Sequence, residues 1–149
     1  MIADVGSAQR SELELVFPAR PEFVRMARLT VAALARLRDA DDDLVEDIKL
    51  AVSEACNTAL NSVAGLEGAP ITVRASSQPE AMVLEILDRG PGPAREVLGD
   101  PEDIDTGDLP FEQALALPLI RGLVDEVALG PRDGGGSSLR MTVSLQQQG

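Results

Sequence analysis

The chain contains no histidine, tryptophan or tyrosine, and only one cysteine (Cys56) and one lysine (Lys49). Without histidine, Ser-His-Asp and Cys-His catalysis are excluded, and a transition-metal site loses its commonest ligand. The lone cysteine excludes an internal disulfide and a Cys-rich zinc site. No apolar run approaches the roughly 18–20 residues that span a bilayer. The opening MIADVGSAQR has no apolar signal core, so a cytoplasmic location and no membrane partner are expected. Positive charge is scarce: 13 basic residues face 25 acidic ones, a formal net charge of −12. Such a chain repels a phosphate backbone and has few rings for stacking, so no direct nucleic-acid partner is expected. Its acidity suits either a basic protein partner or simple solubility.

What is present is an ordinary globular balance, 44% hydrophobic and 26% charged over 149 residues, enough for one domain with a sizeable core. Residues 1–10 are expected to be a flexible tail and 11–146 a single domain. Glu12–Phe17 reads as a strand with one buried face. After Pro18 and Pro21, the spacing of Phe23, Met26, Ala27, Val31, Leu34 and Leu37 predicts a helix over Glu22–Arg38. Asp39–Asp43 is a polar break whose aspartates suit the start of a second helix, which runs to about Val63. On that helix Ile48, Val52, Ala55, Ala59 and Val63 share one face, and Asp47, Glu54, Thr58 and Asn61 share a separate polar stripe. Ile71–Ala75 and Met82–Leu87 read as strands joined by a turn at Gln78–Glu80. A turn at Asp88–Pro93 follows, then a flexible lid at about 93–113. Phe111–Val124 reads as a helix that Pro118 should kink or restart. Val127–Leu129 and Ser138–Leu145 read as a strand pair around the turn Pro131–Gly136. The Gln-rich end, Gln146–Gln148, reads as a frayed tail. This order gives an α+β fold with a mixed, mostly antiparallel sheet and helices on one face. No G-x-x-x-x-G-K-[ST] loop occurs.

Two places could carry chemistry. Glu54 lies beside the apolar face of the second helix, where a carboxylate could take a hydroxyl proton or orient water near a phosphoryl group; it also fits a solvated helix face. Asp88 ends the apolar strand MVLEILD, where a carboxylate is costly without a partner. An adenine amine is one such partner, and Gly90 and Gly92 would let the backbone approach it; a plain turn after a strand fits as well. Arg25, Arg28 and Arg121 fit an acidic partner or ordinary surface.

DIKLAVSEAC, ILDRGPG, ALPLIRGLVDEV and GGGSSLRMTV together resemble the anti-sigma factor and serine protein kinase branch of the GHKL ATPases, over about Ser11 to Leu145. The resemblance implies a Bergerat-type two-layer α/β sandwich holding ATP and Mg²⁺ between helix and lid. It also implies a sigma factor and an anti-anti-sigma factor as partners, a possible homodimer, and serine kinase activity toward the anti-anti-sigma partner. By resemblance Glu54 is the catalytic carboxylate. Asp88, Gly90 and Gly92 hold adenine, and Gly136 and Ser137 stand at the family's late Gly-Thr. The chain departs from the pattern at two places. Thr58 stands where the family has its magnesium-binding Asn, with Asn57 one residue early. Ala114 and Ala116 replace the two glycines of the lid, where added methyls disfavour positive φ and close phosphate approach. Independently of any family, no Lys or Arg lies between Arg95 and Arg121, while seven acidic residues do, and an acidic lid repels a triphosphate. The expectation is a regulatory protein-binding module on a partly degenerate nucleotide site. An active kinase and a nucleotide-independent adaptor are the alternatives.

Overall fold

The computed structural model describes residues 12–66, 68–99 and 111–145. The expected tails at 1–10 and 146–148 lie outside them. The described elements are β1 (Glu12–Pro18), α1 (Glu22–Leu37), α2 (Asp42–Ser62), β2 (Pro70–Gln78), β3 (Ala81–Asp88), β4 (Val97–Leu98), α3 (Phe111–Arg121), β5 (Glu126–Pro131) and β6 (Ser137–Ser144). The strands form one six-stranded sheet in the order β1-β2-β3-β6-β5-β4. Every described strand pair is antiparallel, so the sheet is more uniform than the mixed one expected.

Strand alternation puts Phe17, Ile71, Val73, Met82, Leu84, Ile86, Leu139, Met141 and Val143 on one face, all buried, and the helices pack there. The opposite face carries Glu14, Arg74, Glu85 and Arg140 in line across four strands, with Arg74 paired to Glu14 at 2.7 Å. That exposed pair contributes at most about 1 kcal/mol.

α2 begins as its aspartates require. Asp41 caps it by accepting from the Leu44 N–H at 2.8 Å, and Asp42 and Asp43 occupy the positive first turn. Its expected apolar face is buried throughout. α1 keeps most of its expected apolar face. Ala27 and Val31 are buried and Phe23 and Leu34 pack against the core, joined by Val24 and Ala35, while Met26 is exposed and Leu37 is 80% exposed. The buried residues of α1 and α2 are mostly Ala and Val, which suits close approach of two helices.

Two further differences lie toward the C-terminal half. The proposed lid at about 93–113 has regular structure at both ends, β4 joining the sheet edge and Phe111 opening α3; residues 100–110 lie outside the described residues. Pro118 sits inside α3 on its exposed side rather than at its start, and α3 stops at Arg121, where the Gly122 N–H bonds the Pro118 and Leu119 carbonyls. Within Leu115–Leu123, only Leu117 and Ile120 of the large side chains are fully buried, and Leu115 and Leu119 are exposed.

Ile48→Ala should lower unfolding stability by about 2–5 kcal/mol, because it opens a cavity under α2. Leu37→Glu on the exposed rim of α1 should change stability by no more than about 0.5 kcal/mol. Urea denaturation of the two variants checks both values.

Candidate functional site

Three segments meet at Asp88. The residue ends β3 with its side chain on the helix-facing side, and it is 3% exposed. The strand register sets Ser137 of β6 directly opposite it. Ser137 Oγ donates to Asp88 Oδ2 at 2.7 Å. Oδ1 accepts two bonds, from the Gly90 N–H at 2.8 Å and from Ser62 Oγ, at the end of α2, at 3.2 Å. All three partners donate, as an acceptor-only carboxylate requires. The burial that would otherwise be costly is thereby compensated.

The glycines around Asp88 are set by contact. A Cβ on Gly90 would run into the Ser62 side chain and carbonyl, and one on Gly92 into the Gly136 carbonyl. Gly136 has φ +118° and lies against the Asp88 carbonyl, so it needs both the left-handed backbone and the missing side chain. Arg89 pins the Pro131–Gly136 turn by donating to the carbonyls of Asp133 (3.3 Å) and Gly135 (2.9 Å). Arg132 reaches the Asp88 carbonyl at 3.4 Å. Partial burial first, then repulsion from Arg89 and Arg74, lowers the pKa of Arg132, and Asp88 opposes that shift.

From Ser62 a ridge runs back along α2 at four-residue spacing through Thr58 to Glu54. Ideal helix geometry places the ends of this ridge about 12 Å apart along the axis. Glu54 is half-buried. Thr58 is buried, and its hydroxyl donates to the Glu54 carbonyl at 2.8 Å, a helix back-bond. Asn57 is exposed. Among the described residues no three His, Cys, Asp or Glu side chains gather. With its proton directed to the Glu54 carbonyl, Thr58 keeps only lone pairs to offer a cation, and Glu54 is the one carboxylate on this ridge.

Ala114 and Ala116 lie inside α3, half-buried and buried respectively. They stand within the helix read over Phe111–Val124, and both have helical, not positive, φ, so the cost assigned to a left-handed backbone at the family's glycines does not arise. Their effect is instead that α3 is already wound at these positions.

Residues 17–143 match the profile of the histidine kinase-like ATPase domain. The chain belongs to that family. Two relatives named serine-protein kinase RsbW are similar over most of the chain. That of Halalkalibacterium halodurans is 33% identical over 147 residues, covering 93% of this chain and 86% of its own. That of Bacillus pumilus is 30% identical over 143 residues, covering 91% and 87%. An anti-sigma F factor of Clostridium acetobutylicum is 33% identical over 82 residues, 55% of this chain and 57% of its own. Among solved structures, the RsbU and RsbW domains of a Mycobacterium tuberculosis protein align with a TM-score of 0.63 at 18% identity. That alignment covers 91% of this chain and about a third (32%) of the other, and it shows the shared fold.

Within this ATPase-domain architecture, the sequence reading brought Asp88, Gly90, Gly92 and Ser137 to one place. It set Glu54 and Thr58 on the helix that leads there. It missed Ser62, although a serine at i+8 from Glu54 and i+4 from Thr58 extends the same ridge. It also missed Gln113 in the first turn of α3, 4% exposed, whose Oε1 has no partner among the described residues. Three surface hollows lie elsewhere: against β4–β6 beside Arg121, against β1–β3 beside Arg74, and between Pro18 and Gly68. Asp88 and Glu54 line none of these three.

Cys56 lies on α2 between Glu54 and Thr58, and burial pushes its thiol up from 9.0 to about 12. A folded value above the unfolded one means that the group's contribution to stability is complete below about pH 9 and is lost as pH rises toward 12. Cys56 should resist thiol reagents at pH 8 in the native protein and react only as the chain unfolds in urea. Rapid labelling without denaturant would contradict the burial.

Proposed function

We propose that this protein is a regulatory protein-binding module, an anti-sigma factor that captures a sigma factor or an anti-anti-sigma partner. Its adenine-binding end is built, and its magnesium and phosphate end is weakened. The observation that carries this reading is the Asp88 cluster: a buried carboxyl group held by three donors from three segments. The similarity to proteins named serine-protein kinase and anti-sigma F factor supports the partner class.

Asp88 would accept from the adenine amine, with Ser137 beside it. Adenosine triphosphate, when bound, supplies the transferable phosphoryl group. Glu54 would accept the proton of a partner serine hydroxyl, as a base on the rigid wall of α2. Thr58 and the wound Ala114–Ala116 turn offer little to magnesium or phosphate, and the acidic 96–112 stretch opposes a triphosphate. Partner binding needs none of this chemistry. α1 presents exposed Met26 and Leu29, with Arg25 between acidic-partner and solvent-facing roles, as a face for another protein. A cytoplasmic location and a homodimer belong to the same reading; no described helix is long and apolar enough to cross a membrane.

Calorimetric titration should show weak ATP binding that changes little with magnesium, and Asp88→Asn should abolish it. Thr58→Asn with Ala114→Gly and Ala116→Gly should strengthen binding and make it magnesium-dependent. Tight, magnesium-dependent binding by the unaltered chain would overturn the degenerate-site reading. Phosphate transfer to a serine of a co-purified partner, lost in Glu54→Gln, would establish the kinase alternative instead.

A further inference from the structure

On the sheet face away from the helices, register lines up Thr72, Leu87 and Ser138 as an uncharged floor, with Thr72 and Leu87 nearly buried. The charged row of Glu14, Arg74, Glu85 and Arg140 borders this floor on one side. Arg89 and Arg132 stand at its other end, where β3 and β5 run into their turns. The Nη1 group of Arg89 is spent on the Asp133 and Gly135 carbonyls, and that of Arg132 on the Asp88 carbonyl. Backbone thus holds both guanidiniums in place. Among the described residues, Nε and Nη2 of both arginines have no hydrogen-bond partner. Neither arginine has an acidic partner within ion-pair distance there, the exposed Asp133 of the same turn included. A guanidinium edge with two such donors takes a carboxylate through two parallel hydrogen bonds. Partial burial, then repulsion from Arg89 and Arg74, lowers the Arg132 pKa, as three cations set close together require.

We propose that Arg89 and Arg132 make this end of the open sheet face a docking surface for an acidic segment of a partner protein. The chain has 25 acidic and only 13 basic residues, yet these two cations gather with no acid set across from them. Charge complementarity fixes the chemistry of the occupant: carboxylates for the two guanidinium edges, and small or apolar side chains for the floor between Thr72 and Ser138. A short acidic run meets chiefly the local positive field, because charge farther away is screened over about 8–10 Å. A long nucleic acid would instead meet the negative surface of the rest of the chain. Guanidiniums already fixed by carbonyls lose little side-chain freedom on binding, so the surface is preorganised. Nothing on it depends on nucleotide binding, since no side chain of the Asp88 cluster takes part.

The probe is a fluorescently labelled hexaglutamate peptide, titrated against the full chain at low salt and read by anisotropy. The unaltered chain should bind it in spite of a net charge of −12, and added salt should weaken the complex. Arg89→Gln and Arg132→Gln each keep an N–H donor for the backbone carbonyls and remove the charge. Each should weaken hexaglutamate about fivefold, the upper end for one exposed charge pair, while the urea transition stays cooperative. Arg36→Gln, on the exposed side of α1, should change the affinity by less than about twofold. Arginines that serve only to pin the turns would shift the urea midpoint and leave the peptide affinity alone, and that result would overturn the proposal. So would an unaltered chain that does not bind hexaglutamate. If Arg89→Gln does not fold, Arg132→Gln decides alone. Sedimentation of the peptide-free chain separates the remaining occupant: self-association that Arg132→Gln abolishes would assign the face to a second copy and overturn the acidic-segment proposal. None of these outcomes alters the ATP titration on which the nucleotide reading stands.

Discussion

A carboxyl group buried at the end of a strand must be surrounded by donors, and the architecture around Asp88 follows from that requirement. Its three donors come from three different places: the end of α2, the turn after β3, and the start of β6. Removing any one leaves a buried acceptor short of a partner, which costs about 1–3 kcal/mol. The same geometry forces the glycines. Once Ser62 and Ser137 close on Asp88, the turn after β3 has no space for side chains at Gly90 or Gly92, and the Pro131–Gly136 turn must fold back with Gly136 in a left-handed conformation. One electrostatic constraint thus fixes both turns and ties them to the end of α2.

Behind this cluster stands a core of small residues. α1 and α2 meet through Ala27, Val31, Ala35, Ala51, Val52 and Ala55, all buried, so their axes lie close and the pair forms a stiff slab on the sheet. α2 is the common element. It supplies the slab, carries Glu54 and Thr58, and ends in Ser62. Positions along its polar ridge are therefore held relative to Asp88 by backbone hydrogen bonds, not by loop conformation. The phosphate side has no comparable support among the described residues: Thr58 is turned back on its own helix, and Ala114 and Ala116 are wound into α3.

Much of this was readable along the chain. The aspartates before α2 marked its start because they are the residues that satisfy free N–H groups there, and Asp41 does so. The alternation in ELELVF and the apolar run MVLEILD located β1 and β3, and DRGPG located the turn after the costly Asp88. The α1 face was right for Phe23, Ala27, Val31 and Leu34 and missed at Met26 and Leu37, which lie at the edges of the apolar arc where burial depends on what packs there. Ala114 and Ala116 were read inside a helix that Pro118 should kink or restart; α3 runs through the proline, which lies on its exposed side. Ser62 went unnoticed because a serine at a helix end is ordinary until something acidic is found above it.

The sequence by itself determined the local terms: which segments are helix or strand, where they stop, that no histidine or disulfide chemistry is available, and that an isolated aspartate sits where it needs partners. These are set by periodicity, capping and residue chemistry within a few residues of each position. Only the tertiary structure decided which donors answer Asp88, two of them on Oδ1 and one on Oδ2. Ser62 and Ser137 are 26 and 49 residues away from it along the chain, and their approach depends on sheet register and helix packing, which no local pattern encodes.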